Sequence, residues 1–428
     1  MITVHVPCHK TVAEFRIDKK NYLGSFSPRC TAPVPDPAAE IRRALENPVH
    51  SPRLKELAVK AQTCVILCSD HTRPVPSRYI IPAMLEELRA GNPAIDITLL
   101  IATGVHRESS REELVQKFGE EIVQQEKIVI HDARNEASCM EIGILPSGGK
   151  LAVNSLAVHC DLLIAEGFIE PHFFAGFSGG RKSVLPGISS RETILANHCS
   201  EFIAHPRART GILQANPIHE DMLFAARKAG LKFIVNTVID PEKRILRAFA
   251  GDVDAAHLEG VDFCRQQAGV TVPEAEIVIS SNGGYPLDMN VYQAVKGMTA
   301  AEAVCRPGGV IIMVAGCCDG HGGESFYRHM AAGISPDAIL QEAASHGRND
   351  TLPDQWQYQI LARILQKYKV IMVAPMCDQS MLKEMMLDPA PSPEAALKMA
   401  FEYVGSSAKV AVLPDGVSVI PVKAEREI

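Results

Sequence analysis

The sequence has 428 residues, 46% hydrophobic and 22% charged, a balance that excludes a disordered, collagen-like or coiled-coil chain. At roughly 100–200 residues per domain, that length favours two α/β domains or one large one. Lysine and arginine number 43 against 50 aspartates and glutamates, a formal net charge of -7, which leaves no basic excess for a nucleic-acid backbone or an acidic membrane.

The N-terminal MITVHVPCHK has neither the cationic stretch nor the apolar segment of a secretory leader, so the expected location is cytoplasmic. A β-branched run at Thr63–Cys68 is followed by an amphipathic helix over Ser77–Ala90, with Pro76 and Ser77 at its start and Gly91 at its stop. Strands are expected at Ile95–Ala102, Lys127–His131, Asp161–Ala165 and Lys232–Ile239, with helices over Ser189–His198 and Pro217–Lys228. Further strands at Glu276–Ser280, Gly309–Val314, Lys369–Ala374 and Lys409–Leu413 flank a helix over Asp354–Tyr368. The alternation predicts an α/β fold: two α/β domains with mainly parallel sheets and an active-site crevice between them.

The stretch QQAGVTVPEAE, near Ala268–Ala275, divides a first domain at 1–270 from a second at 271–410. The tail 411–428 either returns to the first domain as a strand or frays. No apolar run approaches the roughly 20 residues that cross a bilayer, so no membrane partner is expected. The twelve cysteines, Cys30 among them, show no CxxC pair and no zinc-finger spacing, and read as reduced, mostly buried residues.

Chemistry concentrates at strand ends, where open α/β sheets place their ligands. Ser69-Asp70-His71-Thr72-Arg73-Pro74 follows the first strand, and a guanidinium there suits a carboxylate. Asp70 is equally a turn cap and Arg73 a surface charge. Thr103-Gly104-Val105-His106-Arg107 repeats the construction with a histidine that is either a general base or a surface residue.

The densest stretch is EGFIEPHFFAGFSGGRKSVLPG, Glu166 to Gly187, whose five glycines let a ligand approach the backbone. It is not a phosphate-binding P-loop, because Arg181 separates Gly180 from Lys182 and puts the lysine out of register. Phe173, Phe174 and Phe177 suit either a flat ring system or the core. His198 closes a helical pattern and lacks the companions of a metal cluster.

In the second domain, Asn282-Gly-Gly-Tyr-Pro-Leu-Asp288 precedes a helix on which Tyr292 and Lys296 share a face, with Gln293 beside them. Asp319-Gly-His321-Gly-Gly-Glu324 and Trp356, the one tryptophan, are further candidates. No GxGxxG follows a strand, so the nicotinamide fingerprint is missing.

Taken together, SDHTRPVPS, ATGVHR, EGFIEPHFFAGFSGGRKSVLPG, ANH, NPIHEDM, NGGYPLDMNVYQAVKGMTAAEA, MVAGCCDGHGGE and PDQWQ make the chain resemble the nickel-pincer lactate racemases and related 2-hydroxy-acid racemases and epimerases. The resemblance runs from about residue 60 to 416. It implies a covalent cofactor, pyridinium-3-thioamide-5-thiocarboxylic acid mononucleotide, holding Ni(II) through two sulfurs and a carbon, so that one protein ligand completes a square-planar site.

By the same resemblance Lys182 tethers the cofactor, His198 ligates nickel, and His106 and His172 are the acid/base pair. Asp70, Arg73, Ser178 and Gly179 contact the cofactor. Arg73, Tyr292, Gln293, Lys296, Phe174 and Trp356 form the substrate pocket. The implied reaction interconverts D- and L-lactate: one histidine deprotonates the hydroxyl, C2 gives up hydride to the cofactor, and pyruvate takes the hydride back on either face. Implied partners are a small 2-hydroxy acid and separate cofactor-biosynthesis proteins. Competing expectations are a racemase of a larger hydroxy or sugar acid, and a non-catalytic cofactor- or ligand-binding protein.

Overall fold

The computed structural model describes residues 1–29 and 31–424; Cys30 and the last four residues of the expected tail lie outside the described residues. The fold is mixed α/β and rests on two six-stranded sheets. The first has the order Ile245–Gly251, Leu231–Ile239, Leu162–Phe168, Thr63–Ser69, Asp96–Ala102 and Lys127–Ile130. Its neighbours are parallel except for the edge strand Ile245–Gly251. The second, parallel throughout, has the order Asp388–Pro389, Lys369–Val373, Cys305–Val314, Ala275–Ser281, Val410–Leu413 and Tyr22–Ser25.

Continuous apolar runs such as Cys64–Cys68 become central strands because helices cover both faces of a parallel sheet, and all five of these residues are buried. The helix Ser77–Gly91 buries Ile80, Ile81, Met84, Leu85 and Leu88, a stripe at three- and four-residue spacing. Asn216 caps Pro217–Lys228 by accepting the Ile218 N–H, with proline at the first helical position where its missing N–H costs nothing. Each expected strand is present within a few residues, Cys305–Val314 starting four residues earlier than expected.

The chain ends depart from the expected division. A hairpin of Ile2–Cys8 and Thr11–Ile17 alternates buried and exposed residues, and its inner face of Val4, Val6, Phe15 and Ile17 packs on Ile277, Ile279 and Ile312. With Tyr22–Ser25 as an edge strand, the first 25 residues therefore join the second sheet instead of the first unit. Ile420–Lys423 runs parallel to Gly269–Val272, and Ile420 packs with Ile169, Phe177 and Phe249 of the first unit. The chain thus passes between units after Ser25, around Gly269–Ala275 and again after Leu413.

Among the described residues no helix is long and apolar enough to cross a membrane. The described cysteines are free thiols, most of them buried.

Candidate active site

A cavity of about 470 Å³ opens at the carboxyl ends of the strands, and all thirteen residues that the family resemblance assigns to the site line it, whereas His71, Phe177, Asp319, His321 and Glu324 do not. It collects the loops after Thr63–Ser69, Asp96–Ala102 and Leu162–Phe168 of the first sheet, and the helices Val291–Val304 and Gln355–Lys367 of the second unit. A smaller cavity of about 290 Å³, where the chain passes between units, contains none of them.

Asp70 is buried at the end of its strand. Its Oδ1 accepts the Thr72 N–H at 3.0 Å and the Thr72 hydroxyl at 2.6 Å, and its Oδ2 lies 2.7 Å from His106 Nδ1. Burial alone would raise the Asp70 carboxyl, but the hydrogen bond and charge of His106, with Arg73, hold it well below the usual range. A carboxylate only accepts, so His106 carries a proton on Nδ1 when neutral and turns a bare Nε2 outward, its side chain 41% exposed. Arg73 is exposed beside them, its Nη1 donating to the Thr72 hydroxyl at 3.0 Å.

His172 is built differently. Its Nδ1 accepts the Ala175 N–H at 3.3 Å, which places the ring proton on Nε2, and Lys182 Nζ lies 3.4 Å from that Nε2. The lysine can receive such a proton only as a free amine. Burial, then the charge of Lys182, then Lys296 and Arg73 push His172 well below its ordinary value. Burial, Arg181, Arg73 and Lys296 do the same to Lys182, against a weaker pull from Glu170.

The glycine-rich loop supports this arrangement through its backbone. Ser178 spends its hydroxyl donating to the Phe168 carbonyl at 3.0 Å and accepting the Glu170 N–H at 2.9 Å. Gly179 has φ +79°, and a Cβ there would sit 2.6 Å from Asn236 Oδ1. Phe173 and Phe174 reach the cavity, whereas Phe177 is fully buried in the core.

His198 follows the helix Arg191–Asn197, and its Nδ1 lies 3.0 Å from the Ile194 carbonyl. A carbonyl cannot donate, so the proton is on Nδ1 and the Nε2 lone pair is free, the arrangement of a metal-binding imidazole. Burial, then Lys182, lowers His198 to about 3. Its ring sits edge-on to Phe174 at 5.1 Å and to Trp356 at 5.2 Å. Among the described residues no three His, Cys, Asp or Glu side chains gather to hold a metal ion, so a metal here needs most of its ligands from a bound group.

From the second unit, Trp356 Nε1 donates to the Tyr292 hydroxyl at 2.9 Å, and Gln357 donates to the Tyr292 carbonyl. Lys296 lies 6.0 Å from the centre of the Phe173 ring, and burial followed by Arg73 lowers it to about 8. Gln293 lines the same wall. The charged Arg73 and Lys296 therefore converge on one cavity, which favours an anionic ligand.

His321 is turned away and stacks on Tyr327 at 4.8 Å. His71 likewise turns to Ser109, its Nδ1 2.9 Å from the hydroxyl. Glu166 had no assigned role, yet its buried carboxylate accepts from the Ser69 N–H and hydroxyl, both at 3.1 Å, and from the Ser77 hydroxyl at 2.9 Å, fixing the loop that carries Asp70. A charged residue inside an otherwise apolar strand was the available signal.

Comparison with known proteins agrees across the chain. The family models for the lactate racemase N-terminal and C-terminal domains match residues 8–211 and 270–421. A lactate racemase of Thermoanaerobacterium thermosaccharolyticum is 51% identical over 98% of this chain and 99% of its own length. One from Lactiplantibacillus plantarum is 49% identical over 98% of this chain and 100% of its own. The solved lactate racemase apoprotein from T. thermosaccharolyticum superposes with a TM-score of 0.94, at 51% identity, over 98% of this chain and 100% of that one. A Thermotoga maritima protein shares the fold at 18% identity, TM-score 0.65, over 87% and 98% of the two chains. With both domain families matched in order and half of all residues shared over nearly full length, the chain belongs to the lactate racemase family and is an isomerase.

Proposed function

We propose that the protein interconverts D- and L-lactate, using a nickel-pincer nucleotide attached to Lys182. The single observation that carries this reading is a pair of histidines in one cavity, each oriented through Nδ1 by a different partner, Asp70 for His106 and the Ala175 N–H for His172. Two enantiomers offer the hydroxyl in two orientations, so a racemase needs one group to take the proton and another to give one back. A binding protein needs neither.

The donor set fits the cofactor. Lys182 is a half-buried amine whose surroundings disfavour the ammonium form and so suit a covalent link, His198 offers one oriented nitrogen for nickel, and Gly179 lets the loop backbone pack against Asn236, Ile169 and Phe168, where any Cβ would clash. When bound, that group supplies a hydride acceptor and donor for C2. The chain does the rest. Arg73 and Lys296 bind the carboxylate, with the guanidinium able to engage both oxygens. His106 takes the hydroxyl proton at Nε2, and Asp70 stabilises the imidazolium that results. On the other half of the cycle a protonated His172 returns a proton to the carbonyl oxygen and is left neutral, so one ring gains the proton that the other loses and solvent restores the starting state. Phe174 and Trp356 confine a methyl-sized side chain, held in place by the Trp356–Tyr292 hydrogen bond. Asp70, Ser178 and Gly179 shape the cofactor's bed, and Tyr292 and Gln293 complete the substrate wall. Proteins that make the cofactor are the necessary partners, and the cytoplasm is the proposed setting.

The decisive experiment follows the enantiomer ratio when enantiopure D-lactate is added to protein produced with the cofactor-making enzymes and nickel. Convergence to an equal mixture from either enantiomer is expected. An unchanged ratio, with nickel and the Lys182 adduct present by mass, would reject lactate in favour of a larger hydroxy acid. Lys182→Ala should remove the adduct altogether.

A further inference from the structure

Lys182 is preceded by the largest fully buried side chain among the described residues, Arg181, which is 0% exposed. A buried guanidinium ordinarily has a carboxylate partner. Arg181 has neutral ones. Its Nε donates to His219 Nδ1 at 3.0 Å, Nη2 to the Ala175 carbonyl at 2.9 Å, and Nη1 to the Ser178 and Gly179 carbonyls at 3.3 and 3.2 Å. His257 Nε2 stands 2.9 Å from Nη1 and equally close to the Ser178 carbonyl. Burial lowers the guanidinium to about 9, with Asp254 opposing, so it remains charged at neutral pH.

These acceptors hold the catalytic loop from behind. Ala175, whose carbonyl takes one arm of the fork, uses its N–H to fix the His172 ring. Ser178 and Gly179, which take the other arm, form the bed beside Lys182. Next in the short turn Gly180–Ser183, Lys182 brings its amine within 3.4 Å of His172. The groups that bear on that amine are His172, His198, Arg73, Lys296 and Glu170, and of these only Glu170 favours an ammonium.

We propose that Arg181 is a positioning residue: its fork sets the loop so that His172 and Lys182 meet, and its charge opposes a second positive charge on Lys182, keeping that amine nucleophilic. The proposal deepens the reading of Lys182 as the cofactor's point of attachment.

The test acetylates cofactor-free protein with trace acetic anhydride between pH 6 and 10 and quantifies Lys182 by peptide mass spectrometry, with exposed Lys60 as internal reference. Lys182 should react with a midpoint well below that of Lys60. Arg181→Gln should raise the midpoint and cut the neutral-pH rate relative to Lys60 by about three- to tenfold, because burial persists while one opposing charge is gone. Unchanged Lys182 reactivity in folded Arg181→Gln would overturn the proposal. Arg181→Lys keeps the charge and cannot span the acceptors, so the midpoint should stay low while the cofactor-loaded enzyme loses at least about tenfold in rate. A wild-type rate in that variant, or failure of both variants to fold, would equally overturn the positioning role. The labelling involves no cofactor, so an adduct persisting in Lys182→Ala would reject the attachment reading alone.

Discussion

The two histidine loops solve one problem in opposite ways. His106 stands at the open side of the cavity and leans on a carboxylate, which fixes its tautomer and can share a positive charge. His172 stands in a cavity where burial, and then its basic neighbours, penalise any positive charge, and its ring is held by a backbone N–H. In one loop an acidic neighbour favours a charged ring; in the other, cations and burial favour a neutral one. Identical side chains thus acquire complementary states from what surrounds them.

The sharpest way to break this comparison is to remove each ring. His106→Ala and His172→Ala should each reduce racemisation of the loaded enzyme by about 10²- to 10⁴-fold while nickel content is unchanged, measured by chiral chromatography and metal analysis. Near-normal turnover in either would deny that ring its proton-transfer role. Next, Asp70→Asn keeps the shape but supplies only a neutral partner for the imidazolium, and a loss of about 10- to 100-fold is expected in kcat, with smaller change in KM. An equal loss in the His106→Ala background would show that Asp70 acts elsewhere.

The cation-rich side predicts a pH limb. Lys296 is ammonium below about 8 and neutral above it, so carboxylate binding should weaken as pH rises through that value. In the free enzyme kcat/KM should fall above pH 8 by up to about tenfold per unit, and Lys296→Gln should lower the plateau and abolish the limb. The smallest effect is expected for Trp356→Phe. It loses one hydrogen bond to Tyr292, worth about 0.5–1.5 kcal/mol, so kcat/KM for lactate should drop roughly two- to tenfold, with slightly longer hydroxy acids gaining relative to it.

Much of this site was legible because its residues lie in short runs directly after strands, and a run such as Cys64–Cys68 is readable as a buried strand from apolarity alone. The protonation pattern was not legible. It depends on Asp70 meeting His106 across 36 residues and on which atoms of Ala175 and Ile194 face each ring. Glu166 and Arg181 were seen as letters of a motif without a task, since their partners are mostly backbone atoms and distant side chains. The N-terminal hairpin escaped for a different reason: His5, Glu14 and Arg16 interrupt its apolar residues, and the alternation becomes a signal only once one face has a sheet to cover.

That hairpin also has a consequence for the order of events at the ribosome. Tyr22–Ser25 pairs with Val410–Leu413, and the adjoining Asn21 side chain bonds the Ser406 carbonyl, 385 residues further on. At roughly 5–20 residues per second, Tyr22–Ser25 waits about 20 to 80 s for its neighbour. Val4, Val6, Phe15 and Ile17 wait less long, because Ile277, Ile279 and Ile312, which they cover, are made about 100 residues before that neighbour. A strand made early is thus paired late, and its open edge is where a holding chaperone would find its most persistent client.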